Sequence, residues 1–551
     1  MTDRNLPGRV ASAEGDRSTT IETLVGIDLG KGVLEHCARR GCGPTNAMGQ
    51  VVGDGHRAEF IVGLPREMAG QSIRLWLGFL LLGFTSIVAV PASAASTAVV
   101  AVLEATQLSG TAPLAVLFDA SGTTAAAGVL PFHQVTYSFE FGDERGQTWP
   151  VSGLPKNRQR GGPLAAHVFD APGTYVVSVR AQAPDGTSSN ATVAVTVQDP
   201  NVVYAGRATV CVSTSNTFTG CPTGAARQTS IPNPLSGKRV LLRRGESFEG
   251  INPRNTDSGF QIGAFGEGPK PAVTGVSTGM IAAVASWASN FTVMDLEIGT
   301  GGVNIDATTS RFLLYRNDIK SPGQLESMVN VGTAAGYYQS HNSGPVPGSI
   351  YWPREVFLVE NDIQGRVDAT RRPNLVVMGF FYKSALMGNT IDRATEHSLR
   401  VWAASKLVIS HNRIGGNHYA PSIPGIRSAV KIHSGGVQAF TSTIATSLQP
   451  ATSQVILANN DIGSTTFQGS WLTGIAPQNA DRGTVEGIED FVAEANRFIR
   501  GPHTSSEMQV RGKRVTARGN TLNGGGKPDI VRNGSNFDLG LNTWDGPYFL
   551  Q

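Results

Sequence analysis

The stretch KLVISHNRIGG at residues 406–416 contains the pattern that decides the fold. An alternating apolar strand is followed by an Asn, one further residue and then Ile, Phe or Leu. The pattern recurs along the chain, as in RFLLYRNDIKS at 311–321 and QVILANNDIGS at 454–464. Its asparagines are Asn317, Asn361, Asn389, Asn412, Asn460, Asn496 and Asn520. A strand-like unit repeated in this way predicts a repeat architecture.

The spacing of these asparagines fits one coil of a solenoid. Asn389 and Asn412 are 23 residues apart, Asn496 and Asn520 are 24 apart, and the longer intervals leave room for loops. Strands in every unit predict a β-solenoid whose coils stack about 4.8 Å apart with apolar side chains inside. An Asn at one turn of every coil predicts an internal ladder, in which each amide bonds to the neighbouring coils.

The region 200–540 resembles the right-handed parallel β-helix of polysaccharide lyases and related carbohydrate-active proteins. The stretches GKRVLLRRGESFEG (237–250) and IGAFGEGPKPAVTG (262–275) are similar to the first coils of such proteins. The resemblance implies the fold more firmly than the chemistry, because this fold carries many activities. We expect residues 541–551 to form a C-terminal tail.

Residues 99–198 form a separate unit of short β-rich runs divided by Gly, Pro and Asp turns, which predicts a small β-sandwich. The segments SFEFGDE (138–144) and HVFDAPGTYVVSV (167–179) resemble a PKD domain, an immunoglobulin-like module of secreted and surface proteins. The resemblance implies a spacer or accessory binding module without catalysis. The predicted fold class is therefore all-β, a PKD sandwich followed by a right-handed parallel β-helix.

A secretory signal peptide is predicted at residues 68–94. Arg74 ends a short basic start, residues 75–90 are nearly all apolar, and Ala92-Ser93-Ala94 is a small-x-small cleavage pattern. A transmembrane helix is the alternative, although the apolar run is short for a bilayer core of about 30 Å. Residues 1–67 show no periodicity, and we interpret them as a mis-annotated or disordered extension. We predict a secreted or periplasmic protein that leaves the membrane after cleavage.

Composition supports these assignments. The chain has 551 residues with 66 Gly, 30 Pro and only 16% charged residues, as is typical of turn-rich β structure. A formal charge of +3 without a long basic run predicts no nucleic-acid partner.

Cys211 and Cys221 would remain after export, and we predict that they form a local disulfide. Their spacing fits no zinc site. We also expect a monomer.

Two strands on either side of a loop supply the candidate site. Because successive side chains of a strand alternate between faces, Leu399 and Val401 should point into the coil and their neighbours outward. The same reasoning applies to Val430 and Ile432 in the second strand. The outward residues that result are Arg400, Trp402, Lys431 and His433.

The two strands lie in adjacent coils of the predicted solenoid. We therefore predict that Arg400 lies beside Lys431, and Trp402 beside His433, at about one strand spacing. Further candidate residues at the edge of this patch are His397, His418, Tyr419 and Arg427. His411 adjoins a ladder Asn, and we expect it to be structural.

A pair of adjacent cations suits an anionic ligand such as a uronate, since a structural sheet would pair at least one of them with a carboxylate. The chemistry that fits is β-elimination. Arg can neutralise the uronate carboxylate, Lys or His can remove the C5 proton, and Tyr can protonate the leaving oxygen. The predicted catalytic residues are Lys431, Arg400, His433 and Tyr419. The predicted substrate-binding residues are Trp402, His397, His418 and Arg427.

The predicted partner is an acidic polysaccharide, and the resemblance adds a question about metal. Some β-helix lyases use a Lys base with an Arg partner, and many use Ca²⁺ held by clustered carboxylates. Glu396 is the one carboxylate close to this patch in sequence, so we predict no metal ligand and leave the cofactor open. A solvated sheet face is the structural alternative for these cations.

Two other functions fit the same fold. A glycoside hydrolase needs two or three carboxylates on neighbouring coils. Asp318, Asp362 and Asp461 each follow a ladder Asn, and we interpret them as turn residues. The other alternative is a non-catalytic polysaccharide-binding protein or adhesin, with the PKD module as its stalk.

Overall fold

The computed structural model describes most of the chain downstream of residue 97. The described residues are 98–254, 256–277, 288–305, 309–320, 327–332, 353–365, 374–379, 381–402, 404–415, 428–433, 452–467, 471–475, 488–504, 506–510, 512–525, 528, 530–532 and 543–544. All of them belong to one compact unit that spans 92–551. In these ranges, no helix is long and apolar enough to cross a membrane. The predicted extension and signal peptide lie outside the described residues.

The N-terminal part is a β-sandwich of two sheets. One sheet has the order β1-β3-β6 and the other the order β2-β8-β7-β4-β5. Phe118, Phe139, Phe141 and Phe169 fill the space between them, each at most 1% exposed. The strands are β1 (Glu104–Ala105), β2 (Ser109–Thr111), β3 (Leu114–Asp119), β4 (Thr136–Glu140), β5 (Arg158–Gly161), β6 (Leu164–Phe169), β7 (Gly173–Gln182) and β8 (Ser188–Gln198). The short helices α1 (Pro131–Gln134) and α2 (Pro200–Val203) and a 3₁₀ turn (Gly206–Ala208) complete this part.

The rest of the described chain is a right-handed parallel β-helix, as predicted. Its first sheet contains thirteen parallel strands in the ranges that the structure describes. They are β9 (Thr209–Val212), β10 (Ala226–Gln228), β11 (Arg239–Arg243), β13 (Ser258–Phe265), β15 (Ser289–Met294), β17 (Ser310–Tyr315), β20 (Arg354–Val359), β23 (Tyr382–Met387), β26 (Ser405–Ser410), β29 (Ser453–Ala458), β32 (Ile488–Glu494), β35 (Gly512–Arg518) and β38 (Thr543–Trp544).

The second sheet divides into two columns of parallel strands. It begins with β12 (Ser247–Phe248), β14 (Ala272–Ser277) and β16 (Glu297–Ile305), and β16 pairs with both columns. The short-strand column continues with β18 (Asp318–Lys320), β21 (Asp362–Gln364), β24 (Thr390–Asp392), β27 (Arg413–Ile414), β30 (Asp461–Gly463), β33 (Arg497–Ile499) and β36 (Thr521–Leu522). The long-strand column continues with β19 (Ser327–Val331), β22 (Asn374–Gly379), β25 (Leu399–Trp402), β28 (Ser428–His433), β31 (Trp471–Ile475), β34 (Ser506–Val510) and β37 (Ile530–Arg532).

The predicted asparagine ladder is confirmed. It stands at the turn between the first sheet and the short-strand column, and its seven asparagines are at most 3% exposed. Asn412 shows the repeated geometry. Its Oδ1 accepts from the backbone N and from Nδ2 of Asn389, both at 2.9 Å. Its Nδ2 donates to the carbonyl of Leu386 at 2.9 Å and to Oδ1 of Asn460 at 3.0 Å. Every polar atom of the buried amide is thereby satisfied.

The outer face of the first sheet is apolar, and the sandwich covers it. Leu313, Phe357, Val408, Ile456 and Val492 stand in one register across β17, β20, β26, β29 and β32. They form one buried cluster with sandwich residues, which are Ala115, Leu117, Phe132, Trp149, Leu164, Ala166 and Val168. The sandwich is therefore docked along the β-helix and is not a free stalk, because both surfaces present apolar side chains that gain from leaving water.

Charged pairs and hydrogen bonds flank this apolar contact. On the sandwich, Asp119 receives Lys406 of the β-helix, and Asp170 accepts from Tyr315 at 2.7 Å and Arg316 at 3.0 Å. Burial would raise the pKa of Asp119, but the hydrogen bonds and charge of its partners outweigh it and lower that pKa. The contacts bind the two domains at several separate points.

His411 belongs to the same interface, which agrees with a structural role. Its ring stacks on Trp149 of the sandwich, with centroids 5.0 Å apart and 7° between the planes. Its Nδ1 lies 2.8 Å from Oγ of Ser152. Burial lowers the pKa of this imidazole to about 3. The ring is therefore neutral when the interface is formed.

The disulfide loop covers the first coils of the same face. Cys211 and Cys221 are bonded, which confirms the predicted disulfide. Cys211 packs with Leu241 and Phe265 in a small buried cluster, against which Phe218 also lies. The loop thus shields the outward apolar residues of β9, β11 and β13.

Replacing one ladder residue tests the energetic role of the ladder. Asn412→Ala removes the acceptor of the backbone N and of Nδ2 of Asn389, and it removes one of the two donors to Oδ1 of Asn460. Each unsatisfied buried group costs about 1–3 kcal/mol, so we expect a loss of at least about 2 kcal/mol. Denaturant unfolding measures it. Asn523→Ala, at an exposed Asn of the β-helix, should change stability by less than about 0.5 kcal/mol; equal losses in both variants would contradict the prediction.

Titration of His411 should make the docked structure sensitive to acid. Its folded-state pKa lies below the unfolded value of about 6.5, so the unfolded chain takes up the proton first and stability falls as pH drops below about 6.5. Between pH 7.5 and pH 5 this group should cost about 2 kcal/mol. His411→Asn suits the backbone there, where φ is 59°, and does not titrate. The variant should lose about 2 kcal/mol less than the wild type over this range, and parallel pH profiles would refute the assignment.

Candidate functional site

The predicted pairing of the two site strands is confirmed. In β25 and β28 the Cα partners are Arg400 with Lys431 and Trp402 with His433. The residues that alternate with them point inward and are fully buried in the β-helix; these are Leu399, Val401, Val430 and Ile432. Arg400 and Lys431 are half-buried on the opposite side of the strands. A guanidinium-bearing and an ammonium-bearing residue thus occupy one outward position on adjacent coils.

The electrostatics of Arg400 reflect its setting. Burial is the larger influence and lowers the pKa of its guanidinium, whereas the carboxylate of Glu396 acts in the opposite direction. A guanidinium remains protonated despite such a shift, because its pKa in water is above 12. Arg400 therefore offers a partly desolvated positive charge, which attracts an anion more strongly than a fully hydrated one.

His397 occupies a different position from the one expected of a substrate contact. It is 4% exposed, and its Nδ1 lies 2.9 Å from the carbonyl oxygen and 3.2 Å from the amide nitrogen of Ser428. Its Nε2 lies 3.8 Å from Oε1 of Glu396. The imidazole therefore joins the start of β25 to the start of β28. We assign it the role of holding these strands in register beneath the patch.

Five further candidate residues lie wholly or partly outside the described part of the chain. His418, Tyr419 and Arg427 lie outside the described residues. The structure describes the backbones of Trp402 and His433, which are paired in register, but not their side chains. The proposed roles of these five residues stay predictions from the sequence.

The outward column that holds the two cations continues on both sides. Val377 precedes Arg400, and Gly474 and Gln509 follow Lys431 in the same register. Gln509 is only 2% exposed. Gly474, which has no side chain, stands between Lys431 and Gln509 in this column.

A stack of carboxylates on the short-strand column was not recognised from the sequence. Glu297, Asp318 and Asp362 are Cα partners on three successive coils. We interpreted Asp318, Asp362 and Asp461 as turn residues, which is wrong, because each begins a short strand. Asp318 Oδ1 accepts from Lys270 at 2.7 Å, and Asp362 Oδ1 accepts from Gln364 at 2.6 Å. Glu297 lacks the Asn that precedes the other two carboxylates, since Leu296 stands before it.

Further along the same column the carboxylates alternate with cations. Thr390 occupies the equivalent position on the coil after Asp362, and the three coils after that carry Arg413, Asp461 and Arg497. Arg497 pairs with Asp461. Asp461 and Arg497 thus form a structural ion pair on the surface. Within the described ranges, no group of three or more His, Cys, Asp or Glu side chains has the arrangement of a metal site.

Two solved structures resemble the chain at low identity. The family 28 exopolygalacturonase of Yersinia enterocolitica matches with 11% identity over 79% of this chain and 82% of that one, at a TM-score of 0.39. The native GH136 lacto-N-biosidase of Eubacterium ramulus matches with 11% identity over 61% of this chain, at a TM-score of 0.35. The match spans 64% of that chain. Neither similarity bears on the chemistry of the site.

The sequence comparisons concern the sandwich. No curated protein matches the chain. Residues 105–197 match the family model of the PKD domain, which covers the strands from β2 to most of β8. The N-terminal sandwich is therefore a PKD domain, as its sequence resemblance implied.

Proposed function

We propose that the protein is a carbohydrate-active enzyme that cleaves a uronate-containing polysaccharide by β-elimination. The observation that carries the proposal is the register of β25 and β28, which puts Arg400 and Lys431 at one outward position on adjacent coils. Two neighbouring cations repel each other, and an anionic ligand between them relieves that repulsion. The acidic polysaccharide is thus the partner that the charge of the patch favours.

Each group of the patch has a role in this reaction. Arg400 neutralises the uronate carboxylate and so makes the C5 proton more acidic. Lys431, or His433 beside it, takes that proton as a general base. The electron pair forms the C4–C5 double bond while the C4–O4 bond breaks, and Tyr419 supplies a proton to O4. His397 contributes by holding the two strands together.

We place this activity outside the cytoplasm, in the secreted or periplasmic fraction. The disulfide between Cys211 and Cys221 supports this location, because such bonds persist in oxidising compartments. The sequence pattern of a signal peptide at 68–94 points the same way. Both features suit a protein that meets polysaccharides.

Glycoside hydrolysis is the second candidate, and the carboxylate stack favours it. Glu297, Asp318 and Asp362 stand on three successive coils, at a strand spacing of about 4.8 Å. Asp318 is already paired with Lys270, so Glu297 and Asp362 are the residues to substitute. They stand two strand steps apart, about 9.6 Å at 4.8 Å per step, and inverting glycosidases hold their two carboxyl groups about 6.5–9.5 Å apart. A binding protein without catalysis is the third candidate.

Ultraviolet absorbance of the products distinguishes these functions. Elimination leaves an unsaturated uronide that absorbs, whereas hydrolysis yields new reducing ends without that absorbance. We expect absorbance to rise with at least one of alginate, pectate, hyaluronan and glucuronan. Arg400→Ala and Lys431→Ala should each reduce the rate about 100-fold or more, as the loss of a catalytic group does.

Arg413→Ala is the matched control, since Arg413 is an exposed cation on the neighbouring short-strand column. It should keep the wild-type rate. Reducing ends without absorbance, abolished by Glu297→Gln or Asp362→Asn, would replace elimination by hydrolysis. Binding without either product would leave a polysaccharide-binding protein.

A further inference from the structure

A second concave site lies at the N-terminal end of the β-helix, far from the cationic patch. It is a cavity of about 390 Å³ between the loop after β10 and the turn after β12. Its volume falls within the range of 300–1,000 Å³ that is typical of small-molecule sites. By contrast, the cavity between the PKD domain and the β-helix measures about 40 Å³, which is enough only for a few water molecules.

The polar lining of the site consists of groups that both donate and accept hydrogen bonds. Hydroxyl groups come from Thr214, Thr229, Ser230 and Ser247, and side-chain amides come from Asn233 and Asn252. Sugar hydroxyls need such partners, because each hydroxyl is itself both a donor and an acceptor.

The charge of the lining excludes anionic ligands. Glu249 is the one charged residue among the residues that line this cavity, and no Lys or Arg contributes. A uronate, phosphate or sulfate group would therefore meet a carboxylate and no counter-charge. The site differs in this respect from the patch of Arg400 and Lys431.

The floor and walls of the site are built into the fold. Phe248 is 8% exposed and belongs to the interior cluster, so the flanking Ser247 and Glu249 point outward from β12. On the opposite wall, Thr214 is held by Glu246, which accepts from its backbone N at 2.6 Å and from its Oγ1 at 3.0 Å. The proton of the Thr214 hydroxyl is used in this bond, so this hydroxyl can only accept from a ligand, whereas the other hydroxyls of the lining can also donate.

Apolar side chains line the cavity next to the polar ones. Ile231, Pro232 and Leu235 come from the loop after β10 and adjoin Phe248. A pyranose ring presents C–H groups on its faces and hydroxyls at its rim, which is the combination that this lining complements. The neutral sugar is favoured over a peptide, because the edge strand in the lining, β12, is only two residues long and gives main-chain pairing little length.

We propose that this cavity binds neutral sugar residues. The site begins on β12, and β25 follows five strand steps along the same sheet, which corresponds to about 24 Å at 4.8 Å per step. A polysaccharide that contains both neutral and acidic sugars would reach both sites at once. That extension rests on the proposed function, whereas the binding of neutral sugar by the cavity does not.

Calorimetric titration of the full chain with neutral hexasaccharides tests the proposal. The probes are β-1,4-glucan, β-1,4-mannan and α-1,4-glucan hexasaccharides. At least one should bind, and the double variant Thr229→Ala/Asn252→Ala, with one change on each wall, should weaken binding at least tenfold. Circular dichroism verifies folding, which we expect to persist because both side chains are exposed.

The matched control is Thr521→Ala/Asn523→Ala. It also removes one hydroxyl and one amide, from exposed positions on the far end of the short-strand column, and it should bind like the wild type. Arg400→Ala should also retain neutral-sugar binding, whatever its effect on cleavage. Absence of binding to all three probes, or equal binding by the cavity variant and the wild type, would overturn the proposal. Failure of the elimination assay alone would affect only the proposed function.

Discussion

The buried hydrogen bonds between asparagine side chains of successive coils are the constraint on which the other features depend. An amide enclosed in an apolar interior is costly unless all its donors and acceptors are satisfied. Here the next amide in line satisfies it, as between Asn389 and Asn412. A shift of one residue in any coil would break the contacts on both sides. The ladder therefore fixes the register of the strands that follow it in each coil. These include β25 and β28, which carry Arg400 and Lys431.

The same register explains how loops of different length coexist with a regular sheet. Successive ladder residues are separated by between 23 and 48 positions, yet each interval returns to the same turn. The additional residues fall between the described strands, whose register is the same in every coil. The two cations of the candidate site stand on these regular strands, whereas His418, Tyr419 and Arg427 belong to the segment of the chain between β27 and β28.

The sequence predicted the features that depend on local periodicity and failed on those that depend on distant surfaces. The repeat of Asn and aliphatic residues was sufficient for the fold, the ladder and the pairing of Arg400 with Lys431, because alternation and coil length together determine these positions. The docking of the PKD domain depends on side chains from separate parts of the chain, and no repeat encodes it. One indication was present: FLLY at 312–315 is apolar without interruption, as in strands buried on both faces. The burial of His397 likewise arises from the next coil, which its own sequence context does not contain.

The docked PKD domain also determines how this protein can be divided. One face of the β-helix carries an apolar band that is shielded from water only while the sandwich lies on it. The band consists of Leu313, Phe357, Val408, Ile456 and Val492. A fragment that begins after residue 200 would present this band to water and would tend to self-associate. Domain shuffling in evolution meets the same obstacle. A β-helix with such an apolar surface depends on the domain that covers it. The two domains must therefore be inherited, expressed and engineered together.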